Sequence, residues 1–396
     1  MIGKIEKLDN LGRGILYHDG KITFVPKTVP EDIIDYEIVK SKKNYNVGKL
    51  VKIVEASSKR IKATCPYFNE CGGCDLQNLS YEETIEYKKE KFMSAFKRKG
   101  FTIKPIFIEN KNSYNYRNKV TLKILKGNVG YFKEESHNLV NIEKCIIAKE
   151  SINEVIPLIK KIGIQNGEVV IRTNELNEIL IWIKTKEKVV FDTKKFNKVK
   201  LIGIVINNET YYGNSYIYAT INGIKYKISY DSFFQVNPYI AKKLFEKVKD
   251  NINSNDIVLD IYSGVGTLSL SAAKKAKRVV GIEVVSNAVD NAKENANFNN
   301  ISNVEFFLSD VTKNLEINYS FNKVIVDPPR IGLSKKVLDT LLDILPKKII
   351  YVSCNPDTLL RDLDILKEKY NIDKLYILDM FSYTYHCESI MVLERR

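Results

Sequence analysis

Cys354 stands in "YVSCNPDTLL", between an apolar run and an Asn-Pro turn that opens a helix-like segment. A cysteine kept for packing belongs inside the apolar run. One at the carboxyl end of a strand lies on the edge where open α/β sheets carry their reactive groups. Earlier stretches supply companions. "VLDIYSGVGTLSLSAA" puts Gly264 and Gly266 in a strand-to-helix turn, where absent side chains let backbone approach a nucleotide-like ligand. The next apolar run ends in "GIEVV", which sets Glu283 where a carboxylate accepts hydrogen bonds from a ribose. The run after that ends in "LSD", which sets Asp310 beside an adenine amine. A NAD-binding protein shares the turn and the acid. "VIVDPPRIGL" then adds Asp327 at the head of a stiff Pro-Pro loop over the same edge.

Four further cysteines, Cys65, Cys71, Cys74 and Cys145, are spaced C-x5-C-x2-C with a distant fourth and no companion histidine. Four thiolates suit zinc or an iron–sulfur cluster, and the spacing does not choose between them. A disulfide pair is disfavoured in a large chain without an export signal. Cys387 reads as a small packed residue.

The elements that must position these groups follow from periodicity. From residue 231, seven apolar strand candidates alternate with helical segments, the pattern of a doubly wound sheet. Residues 1–57 alternate in period two between Gly, Asn and Asp turns and read as a small β-barrel. Residues 58–230 form a central, mostly β-patterned region that holds the four cysteines. Within it, "SYEETIEYKKEKFMSAFKRKG" carries a capping box at Ser80 and Glu83 and a stop at Gly100, which predicts a helix over 81–99 able to pack on the unit 231–396.

The formal charge is +14 over 396 residues, and residues 86–126 hold twelve Lys/Arg against three acids. Tyr87, Phe92, Phe96, Phe101, Phe107, Tyr114 and Tyr116 are interleaved there. Cations suit phosphates and aromatic faces suit unstacked bases, so the cluster leans toward RNA, while any one of these residues reads equally as part of a solvated helix face or as a core aromatic. No apolar stretch approaches the roughly 18 residues of a membrane span, and "MIGKIEKLDN" lacks a secretion core. The expectation is a cytoplasmic protein, a monomer because no exposed heptad or amphipathic helix stands out.

Base-methylating enzymes often carry an Asp/Asn-Pro-Pro loop, with an aromatic next when an amino group is the target; here Arg330 follows. With "DSFFQVNP", "LDIYSGVGTLSL", "DPPRIGL", "VSCNPDTLLRD" and the closing "HCES" in this order, the chain resembles the S-adenosylmethionine-dependent RNA uracil-5-methyltransferase family over nearly its whole length. Its barrel and cysteines are most similar to those of the members that act on 23S rRNA. The resemblance implies a multidomain protein: an N-terminal TRAM/OB-like β-barrel, a central β-rich RNA-binding domain with a metal–sulfur site, and a C-terminal α/β Rossmann-like class I methyltransferase. It implies a [4Fe-4S] cluster on Cys65, Cys71, Cys74 and Cys145. It implies S-adenosylmethionine held by Gln235, Tyr262, Gly264, Glu283, Asp310 and Asp327.

The resemblance also gives Cys354 the role of nucleophile and Glu388 that of base. Uracil C5 is too weak a nucleophile to take a methyl group directly. Thiolate addition at C6 makes an enolate whose C5 attacks the methyl, and a base then removes the C5 proton so that the thiolate can leave. In the class I strand order the last strand runs antiparallel beside the fifth, which brings the start of "ESIMVLER" to the end of "IIYVSC". His386 lies close by, as a participant or an ordinary polar contact. The family's closing motif is F-P-x-T-x-H-x-E, whereas this chain reads "FSYTYHCE", with Ser382 in the proline's place. Three alternatives stand beside this reading: an RNA cytosine-5 methyltransferase, a tRNA uracil-5-methyltransferase, and a non-catalytic RNA-binding iron–sulfur protein.

Overall fold

The central strands of residues 257–395 are buried almost end to end, as a sheet covered on both faces requires, and the computed structural model, which describes residues 1–310 and 319–396, places them in one eight-stranded sheet. Its order is Val304–Leu308, Arg278–Glu283, Ile257–Ile261, Lys323–Val326, Lys348–Ser353, Glu388–Arg395, Tyr370–Leu378 and Ile106–Ile108. The first five strands are parallel. Glu388–Arg395 runs antiparallel to both its neighbours. Successive residues feed two separate cores: Val258, Ile325, Ile350 and Val392 on one face, Leu259, Val324, Ile349 and Leu393 on the other. The strand order reverses at Ile257–Ile261, so a crevice opens beyond the carboxyl ends of that strand and its neighbours.

Two segments of the span 58–230 pack with this sheet. The hairpin Tyr216–Ile221 and Ile224–Ser229 joins the first core. The helix Tyr81–Arg98 joins the second through Phe92, Ala95 and Phe96, and its Ser80 Oγ accepts from the Glu83 N–H at 3.2 Å. Ile106–Ile108 then adds the eighth strand, parallel to Tyr370–Leu378. Seven strands were expected; a three-residue strand some 150 positions ahead of the others carries too little pattern to be seen.

The seven-stranded sheet of residues 119–213 has its own core of Val120, Leu122, Val169 and Ile171 beneath the short helices Glu150–Asn153 and Ile156–Lys160. The N-terminal sheet has six strands. Its two edge strands, Ile2–Lys4 and Lys7–Leu8, belong to one continuous segment. Among the described residues no helix is long and apolar enough to cross a membrane.

One ion pair fastens the helix to the sheet. Lys88 Nζ meets Asp379 Oδ1 at 2.5 Å with both side chains 0% exposed, and it also donates to the Phe381 carbonyl at 3.0 Å. Removing one partner of such a pair strands a buried charge. Lys88→Met is expected to cost about 3–5 kcal/mol, read by circular dichroism as an earlier urea midpoint; an unchanged midpoint would contradict the arrangement.

Candidate functional site

The last paired residues of Lys348–Ser353 and Glu388–Arg395 are Ser353 and Ser389, whose Oγ donates to the Ser353 carbonyl at 2.8 Å. The next position outward carries Cys354 on one strand and Glu388 on the other. Residues 34 apart in sequence thus meet at the carboxyl edge of the sheet. Asp327 ends the neighbouring strand, and the Tyr262–Gly266 turn and Glu283 end the two beyond it.

Burial makes these acids reluctant to ionise. It pushes the Cys354 thiol up to about 11, with Glu388 adding repulsion and Arg330 opposing it. Burial holds Glu388 well above the usual carboxylate range, with Asp327 adding to the effect and Arg330 again opposing. Burial alone raises Asp327 to about 7. Arg330 is thus the cation common to Cys354 and Glu388, and its guanidinium lies 3.5 Å from His386 Nε2. Burial, then Arg330, lowers His386 to about 3. The imidazole is neutral at physiological pH and serves as the acceptor in that contact.

The Asp-Pro-Pro loop is held from behind. The Arg330 carbonyl accepts from Asn355 Nδ2 and Thr358 Oγ1, and Leu333 N–H donates to Asp362 Oδ2 at 2.8 Å. Gly332 has φ +75, and a Cβ there would lie 2.8 Å from Asp362 Oδ2, so only glycine keeps the loop against the helix Pro356–Leu366.

In the nucleotide turn, Tyr262, Gly264 and Gly266 all have positive φ. The Gly264 N–H donates to Glu283 Oε2 at 3.0 Å, while Glu283 Oε1 accepts from the Val284 and Val285 N–H groups. A Cβ on Gly266 would fall 2.8 Å from Phe306 Cζ. Gln235 is buried on a loop whose backbone is anchored by Asn118, and Asp310 follows the strand Val304–Leu308. Two further polar residues belong here, Asp260 beneath the turn and Ser263 within it. Asp260 is fully buried, raised to about 7 by burial, with Oδ2 accepting from Ser269 and Oδ1 without a partner. Ser263 Oγ is likewise buried and unpartnered. The aspartate inside "IVLDIY" was their sequence signal.

The loop 379–387, which carries His386 toward Glu388, is pinned on all sides. Asp379 Oδ2 accepts from Tyr81 OH at 2.8 Å and from Ser382 Oγ at 2.6 Å. The Asp75 and Leu76 N–H groups both donate to the Tyr383 carbonyl at 3.0 Å, and the Tyr385 N–H donates to Asp75 Oδ2. Cys387 is buried, packed in the second core.

Cys65, Cys71, Cys74 and Cys145 line one cavity of about 30 Å³ together with Arg117 and Tyr131. Among the described residues, no three His, Cys, Asp or Glu side chains converge on a single ion position. All six cysteines are free. The aromatics of residues 86–126 do not form the exposed stacking surface expected of them. Phe92, Phe96 and Tyr116 are core residues and the others are at least half-buried, because this segment is a helix and an edge strand of the main body.

Comparison with known proteins settles the family. The family model for tRNA (uracil-5-)-methyltransferases matches residues 174–396. The chain belongs to the RNA uracil-5-methyltransferase family. It is 33% identical to an uncharacterised RNA methyltransferase of Halalkalibacterium halodurans, over 98% of this chain and 96% of that one. An uncharacterised RNA methyltransferase of Aquifex aeolicus is 34% identical over 98% and 97%. Among solved structures, the Pyrococcus abyssi tRNA (uracil-54, C5)-methyltransferase, in complex with S-adenosyl-L-homocysteine, is similar with a TM-score of 0.81 and 29% identity. That match covers 99% of this chain and all of the other. The likeness to that tRNA enzyme thus extends over the N-terminal sheet as well.

The thiol position generates a pH test. Iodoacetamide alkylation of Cys354, followed on its own peptide by mass spectrometry, is expected to quicken about tenfold per pH unit from pH 7 to 10, because only the thiolate reacts. A plateau below pH 9 would contradict the upward shift.

Proposed function

We propose that this enzyme methylates C5 of a uridine in RNA from S-adenosylmethionine, with Cys354 as nucleophile and Glu388 as base. The observation that carries the reading is the adjacency of Cys354 and Glu388 across the antiparallel strand pair, on the edge that also holds the nucleotide turn. The Cys354 thiolate forms a bond to C6 and opens the C5=C6 double bond to an enolate. S-adenosylmethionine supplies the methyl group and, through its sulfonium, a positive charge. The Glu388 carboxylate then takes the C5 proton, the C5=C6 bond reforms, and the C6–S bond breaks to free Cys354. Burial holds Cys354, Glu388 and Asp327 toward their neutral forms, so the cofactor's positive charge beside them would favour the ionised states that the reaction needs. Gln235, Tyr262, Gly264, Glu283, Asp310 and Asp327 are the residues we assign to cofactor binding.

For the substrate, the resemblance favours 23S rRNA, while the full-length likeness to a tRNA enzyme favours tRNA as a second reading. We read the N-terminal sheet as a TRAM-like RNA-binding barrel. On the family resemblance we assign the four cysteines, which line one cavity, to a [4Fe-4S] cluster. Such a cluster brings its four cysteine segments together; its formation is checked by visible absorption after anaerobic reconstitution, lost in Cys74→Ser.

A covalent trap tests the chemistry. Protein, S-adenosylmethionine and 5-fluorouridine-substituted 23S rRNA or tRNA transcript are run on a denaturing gel. After methyl transfer, C5 holds fluorine where Glu388 expects a proton, so the adduct persists. A shifted band absent from Cys354→Ala is expected. With unsubstituted RNA, Glu388→Gln is expected to accumulate adduct and to lower turnover at least 100-fold. The RNA that gives the band names the substrate class. No band with either RNA overturns the mechanism.

A further inference from the structure

The seven-stranded sheet turns one face toward its own helices and the other toward the hairpin 216–229 and the loop 230–236. On that second face, Lys119 and Arg172 are direct cross-strand partners. Like charges opposite one another in an antiparallel pair repel, and a bound anion would relieve that repulsion. The neighbouring cations have theirs: Glu168 takes Lys123 and, at 3.1 Å, Lys184. Among the described residues no carboxylate forms an ion pair with Lys119 or Arg172. The exposed Asp231 acts on Arg172 only through space.

Arg172 is 3% exposed. One Nη donates to the Ser232 carbonyl at 2.7 Å, while Nε is buried with no partner. Lys119 beside it is partly exposed, unlike Arg172. Burial, the largest cause, and then Arg172, Arg117 and Lys184 push Lys119 down to about 8, with Glu168 opposing them. The place matters. Asn118, next to Lys119, donates from Nδ2 to the Gln235 carbonyl at 3.2 Å and from its N–H to the Val236 carbonyl. The two cations therefore border the loop that carries Gln235 into the nucleotide crevice.

We infer that Lys119 and Arg172 form an anion site that takes a phosphodiester of the RNA substrate next to the target nucleotide, with Lys119 as the direct contact and Arg172 as the buried charge beneath it. The inference rests on the RNA reading above and deepens it by locating one backbone contact. An oxygen anion at this place has a second source, the carboxylate of the methyl donor, and the two sources separate by experiment.

The test uses the full chain and a fluorescently labelled hairpin RNA with a uridine-rich loop, titrated by anisotropy across a salt series. In parallel, S-adenosylhomocysteine is titrated by calorimetry. Loss of one phosphate contact flattens the plot of log affinity against log salt by about 0.7–0.9. Lys119→Gln is expected to show that flattening with S-adenosylhomocysteine affinity unchanged, and Lys119→Arg to keep the wild-type slope. Equal slopes for wild type and Lys119→Gln overturn the site. Weakened S-adenosylhomocysteine binding with an unchanged slope also overturns it and assigns the anion to the cofactor. Wild-type protein that does not bind the hairpin at low salt overturns it as well. Protein that binds the hairpin with the expected slopes yet gives no fluorouridine adduct counts against the mechanism and leaves the phosphate site standing.

Discussion

The buried pair of Lys88 and Asp379 is the constraint on which the site's geometry rests. Neither charge has water to fall back on, so each must keep its partners. Asp379 begins the loop between the strands Tyr370–Leu378 and Glu388–Arg395, and its two oxygens gather Lys88, Tyr81 and Ser382. Because Lys88 and Tyr81 sit on one helix, the helix and the loop are fixed together. The loop then enters the Glu388 strand in one register, and that register alone brings the carboxyl opposite Cys354. A one-residue slip would turn Glu388 to the other face of the sheet.

The same loop links the cysteine segment to Glu388. Lys27, from the N-terminal sheet, donates to the carbonyls of Cys71 and Cys74. Asp75 and Leu76 then hold Tyr383 and Tyr385. A continuous line of hydrogen bonds runs from the N-terminal sheet through the four-cysteine region to the residues before His386. Whatever orders the cysteine segment also orders the approach to Glu388.

Much of this was legible in the sequence because strand ends and turns announce themselves locally. Cys354 before Asn-Pro, the two glycines of the turn, Asp327 before Pro-Pro and the Ser80–Glu83 cap each depend on residues a few positions apart. The meeting of Cys354 with Glu388 needed a topology, and the family resemblance supplied it. What escaped depends on tertiary placement. Lys88 looks like any helix-surface lysine among eleven other cations of its segment, and only the fold buries it against a residue 291 positions away. Phe92, Phe96 and Tyr116 were indistinguishable from a stacking surface for the same reason. Arg172 sits in "EVVIRTN", where the alternation marks it for one face of a strand but cannot tell whether another layer will cover that face.

Ser382 shows how a departure from a family motif can be absorbed. A proline stiffens a loop from within, since its ring fixes φ wherever the chain goes. Ser382 has no such intrinsic preference, yet it is fully buried, its Oγ donates to Asp379, and it accepts from Asn110 Nδ2 at 2.9 Å. Its carbonyl accepts from Tyr116 OH at 3.2 Å. The rigidity here is borrowed from three other segments: the end of the Tyr370–Leu378 strand, the stretch after Ile106–Ile108, and the residues leading into Lys119–Leu125. A proline would keep its φ in an unfolded chain, whereas the serine's restraint exists only once those segments have docked. In this protein the path to Glu388 is therefore set by assembly of the whole body, and the geometry of that residue is a property of the folded whole rather than of its own loop.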